Sequence, residues 1–230
     1  MRFKDYYQQI LEERRSIAGA IATEIRDSLQ SDKELTKDDV DAVVSDIMED
    51  HGGENLGKGN FANVYGSDSG GYVVKVAVND RTGRQFFLNM GKYDNPLFPK
   101  IEKHIVLEHS EYLMIDIYVL ERLKVDFKST ASSNMQFLRK ASQSVWGKEM
   151  RSDDFTLIDI IDAVLRDILS EEQLSNFDNV LRQHGRTLEQ LMEFVEILRK
   201  TTKSDSLDVH SANFGFNKDG HLIIFDPISF

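Results

Sequence analysis

The chain has 230 residues, 40% of them hydrophobic, and no cysteine. It is long enough to bury a substantial core in one or two domains, while disulfides, thiolate catalysis and Cys-ligated zinc are excluded. A formal net charge of −11, spread along the chain rather than gathered in a tail, argues against general nucleic-acid binding and against a nucleic-acid mimic, and is compatible with basic protein partners.

Residues 3–29 carry Tyr7, Ile10, Leu11, Ile17, Ile21, Ile25 and Leu29 at helical spacing. A second helix is predicted from near Thr36, with acidic residues in its first turn where the helix dipole favours them, and His51-Gly52-Gly53 punctuates its end. Residues 1–50 read as a helical extension bracing the segment that follows, with a partner-binding helix pair as the alternative. No apolar run approaches the roughly 20 residues that cross a bilayer. With no export signal and no cysteine, a reducing cytoplasm is the expected compartment.

From Leu56 the pattern is strand, Gly-rich turn, strand, tight turn, strand, through Leu56-Gly-Lys-Gly-Asn-Phe-Ala-Asn-Val-Tyr65, Gly70-Gly71 and Tyr72-Val-Val-Lys-Val76. Gly57 and Gly59 would let the backbone approach phosphate oxygens, and Lys75 on the third strand can reach the α- and β-phosphates of a nucleotide. The plain alternative is a hairpin followed by an edge strand with a solvated lysine. A short helix is predicted over Arg84–Lys92, closed by Gly91 and the Pro96 and Pro99 turn. Ile101–Glu108 and Tyr112–Leu120 then form an antiparallel pair through His109-Ser110-Glu111, completing a five-stranded sheet.

From about Ser132 the chain turns helical, with Met135, Leu138 and Val145 on one face, an apolar stretch over Phe155–Leu169, and a third over Leu188–Leu198. Trp146 and the phenylalanines are assigned to packing. The carboxyl-terminal segment reads Asp208-Val-His210-Ser-Ala-Asn213, then Phe-Gly-Phe, an Asn217-Lys-Asp-Gly220 turn, His-Leu-Ile-Ile-Phe and Asp226. An acid, an amide and a second acid around a hairpin is the set phosphoryl transfer requires: one carboxylate orients the attacking hydroxyl while an amide oxygen and another carboxylate hold the metal. Alone the string is unspecific, because Asp and Asn are common turn residues. His51, His104, His109, His184 and His221 show no ligand-like spacing, so no zinc site is expected.

The two motifs in this order resemble the protein-kinase family, in which the catalytic-loop Asn likewise follows the catalytic Asp by five positions. The likeness is greatest to the early serine/threonine protein kinases of T-seven-type bacteriophages; it covers about residues 51–230 and is weakest between about 130 and 185. It implies an α+β, two-lobed kinase-like fold: residues 51–123 as an N-lobe with the five-stranded antiparallel sheet, and 124–230 as a small, truncated helical C-lobe. It implies an ATP- and Mg-dependent kinase acting on host bacterial proteins, the transcription machinery among them. Gly57, Lys58, Gly59, Asn60, Phe61, Ala62 and Val64 would cover the nucleotide with Lys75, and Glu121 and Leu123 would offer main-chain groups to adenine. Asp208 would act on the substrate hydroxyl, His210 would lie near the transferring phosphate or anchor its own loop, and Asn213 and Asp226 would hold Mg.

Several positions depart from the family pattern. Ala62 replaces the third loop glycine, and Ser206-Leu207 replaces the usual His-Arg. The sequence stops four residues after Asp226, which leads us to expect no control by activation-loop phosphorylation. The helix after Lys75 contains no Glu to form the expected ion pair, leaving Gln85 and Asn89, four apart, as neutral substitutes. That absence admits a binding-only pseudokinase, and antibiotic phosphotransferases share Asp-x-His-x-x-Asn, which admits a small-molecule acceptor.

Overall fold

The computed structural model describes residues 18–30, 35–58, 61–66, 71–110, 113–124, 133–148, 156–202, 209 and 213–225. Among these the protein is mixed α+β, with seven helices, a five-stranded antiparallel sheet and a two-stranded hairpin. The chain divides into two compact units, residues 1–84 with 100–122, and residues 85–99 with 123–230.

In the first unit, helix α1 (18–30) buries Ile21, Ala22, Ile25 and Leu29 along one face, and α2 (Lys37–Asp50) buries Val40, Val44, Ile47 and Met48. A capping box starts α2: the Thr36 hydroxyl accepts from the Asp39 amide, and the Asp39 carboxylate accepts from the Thr36 amide at 2.8 Å. Strands β1 (Glu54–Lys58), β2 (Ala62–Gly66), β3 (Tyr72–Val78), β4 (Ile101–Ser110) and β5 (Leu113–Glu121) lie in the order β1-β2-β3-β5-β4. Because side chains alternate along a strand, Val74, Val76 and Val78 share one face with Ile115, Ile117 and Val119 of β5. That face packs on α1 and α2, each large side chain contributing about 1.5–3 kcal/mol of burial. Val73, Lys75 and Ala77 therefore occupy the opposite face, with Asp116 and Tyr118 beside them.

Helix α3 (Arg81–Met90) begins earlier than its apolar residues suggest. Asp80 is the reason: its carboxylate accepts from the Gly83 amide at 2.7 Å and so satisfies a free donor of the first turn.

The second unit contains α4 (Ser133–Trp146), α5 (Leu157–Leu165), α6 (Glu171–Gln183) and α7 (Leu188–Thr202), with β6 (Phe214–Phe216) and β7 (Leu222–Ile224) paired antiparallel. Phe137, Phe177, Phe194 and Phe214 are fully buried in it. Two expectations are corrected here. The Phe155–Leu169 stretch is helical only over Leu157–Leu165, where Arg166 caps the helix and Asp167 turns left-handed at φ 54°; Phe155 lies outside the described residues. An unforeseen helix, α6, follows at once, started by the Ser170 and Gln173 capping box and held by buried Phe177, Val180 and Leu181. No helix among the described residues is long and apolar enough to cross a membrane.

Candidate active site

Of the residues singled out from sequence, Gly57, Lys58, Phe61, Ala62, Val64, Lys75, Glu121, Leu123 and Asn213 are described. Gly59, Asn60, Asp208, His210 and Asp226 lie outside the described residues, as do the Ser206-Leu207 pair and the side chain of Asn89.

In the first unit, β1 and β2 pair with Gly57 opposite Val64 and Lys58 opposite Asn63, after a register shift between Asn55 and Gly57. Val64 lies opposite Lys75, Lys75 opposite Tyr118, and Tyr118 opposite His104. Gly57, Val64, Lys75, Tyr118 and His104 thus form one continuous row across all five strands. A methyl group placed on Gly57 would meet nothing within 4 Å among the described residues, and its φ is not in the left-handed region. Among the described residues neither packing nor backbone conformation demands glycine there. Phe61 is exposed and its carbonyl accepts from the Val78 amide at 2.8 Å, while Ala62 and Val64 are half-buried. The strand pair is tied to α2 through Asp41, which accepts from Asn63 Nδ2 at 2.7 Å and lies 3.8 Å from Lys58 Nζ.

Lys75 is buried, at 8% exposure, on the sheet face away from α1 and α2. Gln85, suggested as its neutral partner, donates from Nε2 to the Thr201 carbonyl at 3.2 Å. Beyond Lys75 the same face carries a polar cluster that sequence reasoning missed. Asp116 is fully buried, and its Oδ1 lies 2.7 Å from His104 Nε2 and 3.5 Å from Arg84 Nε. The His104 and Tyr118 rings stack at 4.4 Å and 10°. Burial, with the charges of Asp116 and Asp80, raises the Tyr118 phenol far above its ordinary value, so it stays neutral. The available signal was a lone acid inside the apolar strand Leu113–Glu121, a residue that must find partners when buried.

At the end of β5 the Glu121 amide donates to the Lys100 carbonyl at 3.2 Å and the Arg122 amide to the Gly71 carbonyl at 2.9 Å. Those two amides are committed within the protein.

In the second unit, Asn213 directly precedes β6, is half-buried, and accepts on its carbonyl from the Phe225 amide at 3.0 Å. The hairpin therefore closes with Asn213 beside the residue that precedes Asp226 in the chain. Its turn is held by Asn217 Oδ1, which accepts from the Asp219 and His221 amides at 3.0 Å, and by Gly220 at φ 79°. Its strands are clamped from outside. Buried Asn134 donates to the Phe214 carbonyl at 2.7 Å, buried Arg186 Nε donates to the Leu222 carbonyl at 2.8 Å, and the Leu97 carbonyl accepts from the Ile224 amide at 2.9 Å. His184 packs against Phe137 and Phe216, and burial, opposed by a bond to the Gly220 backbone, lowers its pKa.

An amide oxygen such as that of Asn213 suits a hard cation like Mg, as one donor among several. No group of three or more acidic, His or Cys side chains gathers as a metal site among the described residues. No protein-family model matches the chain, and comparison with curated proteins finds no match.

Proposed function

We propose that the chain is an ATP- and Mg-dependent serine/threonine protein kinase with a two-lobed, kinase-like architecture, acting on host bacterial proteins, the transcription machinery among them, in the host cytoplasm. The observation that carries this reading is the row Gly57, Val64, Lys75: a glycine that packing among the described residues does not require stands in register with a buried lysine two strands away. Phosphate is a ligand that needs both, close backbone approach and a cation. A hairpin joining Asn213 to the residue before Asp226 adds support.

On this reading the loop from Gly57 to Ala62, with Gly59 and Asn60, covers the phosphates, Lys75 neutralises them, and Glu121 and Leu123 offer main-chain groups to adenine. Asp208 orients the Ser or Thr hydroxyl and accepts its proton as the oxygen bonds to the γ-phosphorus and the bond to the β-phosphate oxygen breaks, releasing ADP. His210 supports that loop. Asn213 and Asp226 would hold Mg, which would supply charge neutralisation at the phosphates. The Asp-x-His-x-x-Asn string favours one second reading, a phosphotransferase with a small-molecule acceptor. Incubation of the purified chain with γ-labelled ATP, Mg and bacterial lysate separates them. Label in protein bands is expected; label in small metabolites alone supports the second reading, and none supports a binding-only role.

A further inference from the structure

We propose that helix α2 is a working part of the phosphate-binding hairpin, with Asp41 as the residue that positions β1 and β2 from the sheet face opposite Lys75. The proposal rests on the phosphoryl-transfer reading and adds to that site a positioning residue that does not touch the nucleotide.

One carboxylate meets both sides of the hairpin. Lys58 and Asn63 are the last residue pair of the β1–β2 ladder, facing each other where the strands lead into the Gly-rich turn. Asp41 Oδ1 accepts from Asn63 Nδ2 at 2.7 Å, and Asp41 Oδ2 lies 3.8 Å from Lys58 Nζ. A hydrogen bond to an ionised acceptor is stronger than one between neutral groups. Asn63 makes that bond matter. It shares the face of Tyr65, opposite Val76, against α1 and α2; it is only 4% exposed, and its Oδ1 has no hydrogen-bond partner among the described residues. An unpaired amide group is costly in such surroundings, so the Asp41 bond offsets the burial of Asn63 and fixes β2 to the helix beside Ala62. Because side chains alternate, Asp41 reaches β2 on the side away from Val64 and Lys75 and leaves their face open.

The hairpin lacks such a hold of its own. Strand β1 is an edge strand with every residue exposed, it pairs with β2 alone, and its register shifts between Asn55 and Gly57. Segments with few buried contacts open most readily. Helix α2, by contrast, is fixed at both ends and along its length. The Thr36 and Asp39 capping box closes its first turn, Val40, Val44, Ile47 and Met48 are buried, and His51 Nε2 at its end lies 2.8 Å from Glu24 Oε2 of α1. Helix α1 is tied in turn to β4, where Lys103 Nζ donates to the Gly19 carbonyl at 3.0 Å and to the Thr23 hydroxyl at 2.7 Å. The Gly53 amide donates to the Met48 carbonyl at 2.7 Å, so the chain passes from α2 straight into β1. The helix therefore grips the hairpin twice, through the chain at the start of β1 and through Asp41 at the Lys58 and Asn63 pair.

Asp41→Ala, Asp41→Asn, Asn63→Ala and the double variant Asp41→Ala with Asn63→Ala, each in the full chain, test this by calorimetry with Mg-ATP and with adenosine. Asp41→Ala is expected to lose about fivefold or more in Mg-ATP affinity while adenosine affinity stays within about twofold, because a displaced hairpin forfeits phosphate contacts alone. Asp41→Asn, which keeps an acceptor for Asn63, should lose less than Asp41→Ala. The double variant should stay within about twofold of the more affected single variant, because the two residues act through one bond. Unchanged Mg-ATP affinity in Asp41→Ala, equal losses for the two ligands, or additivity in the cycle overturns the proposal. Amide hydrogen exchange without nucleotide supplies a second reading: Asp41→Ala should speed exchange in the β1–β2 ladder and leave α2 and β3 as in the wild type. Unchanged exchange in that ladder, or acceleration throughout the unit, also overturns it. If Asp41→Ala fails to fold, Asp41→Asn takes its place under the same criteria. If the wild-type chain binds no ATP, the kinase reading fails by itself, and the exchange comparison still decides whether Asp41 holds the hairpin.

Discussion

In the first unit the side chain proposed to meet phosphate sits mid-strand, Lys75 between Val64 and Tyr118, whereas in the second Asn213, proposed to hold Mg, stands at the foot of a hairpin whose strands are three residues each. The first is placed on its face by ladder register, since any slip of one residue would send Lys75 into the apolar face against α1 and α2. The second has too short a ladder to hold itself, and is fixed by side chains reaching its carbonyls from α4 and from the segment between α6 and α7. Charge follows the same division. The sheet buries ionic groups and must pair them; the hairpin buries aromatic rings and spends only neutral amides and one guanidinium on its backbone.

The largest expected departure comes from Lys75→Met, which removes the cation and keeps the apolar stem. Transfer should fall by about a hundredfold or more, as loss of a charge-stabilising donor generally does, and steady-state transfer assays check it. A smaller effect, on stability, is expected at the hairpin clamp. Asn134→Ala leaves the buried Phe214 carbonyl without its donor and should cost about 1–3 kcal/mol in denaturant unfolding. If Asn134→Ala proves neutral, the hairpin is held by its own ladder and the contrast between the units is lost.

Smaller again is Gly57→Ala. Stability should stay within about 0.5 kcal/mol because the added methyl meets nothing within 4 Å. Mg-ATP affinity should nonetheless drop, since the methyl intrudes where phosphate would approach. A control at Gly83, where a methyl would collide with the Asp80 carboxylate, should destabilise instead.

The hairpin half should also be the more acid-sensitive through His184. Its folded pKa is lowered by burial, so the unfolded chain binds the proton first. The stability it contributes is complete above the unfolded value of about 6.5 and is lost as pH falls through the lower folded value. Denaturant midpoints of wild type and His184→Phe, compared between pH 7 and pH 5, should show the smaller decline in the variant; parallel declines would assign the sensitivity elsewhere.

Much of the secondary structure was legible because local rules and tertiary packing agree. The valines of Tyr72–Val78 and the apolar Leu113–Glu121 run announce buried strands, and Asn217-Lys-Asp-Gly220 announces its turn. Helix α6 escaped because Glu171–Gln183 carries few apolar residues; its readable signal was the Ser170 and Gln173 cap. The Asp116 cluster was not legible for a different reason. His104, Asp116 and Arg84 come from three elements, and only strand order and register bring them to one carboxylate. Gln85, by contrast, looked available to Lys75 by helical spacing, yet its amide is drawn to the end of α7.

The most direct test of the phosphoryl-transfer reading is a single comparison of wild type and Asp208→Asn, measuring transfer from γ-labelled ATP to protein alongside Mg-ATP affinity by calorimetry. Asp208 is assigned to the acceptor hydroxyl and not to the nucleotide, so transfer should fall by about a hundredfold to ten-thousandfold while affinity is unchanged. Near-normal transfer by Asp208→Asn, or no transfer by the wild-type chain, would contradict the account.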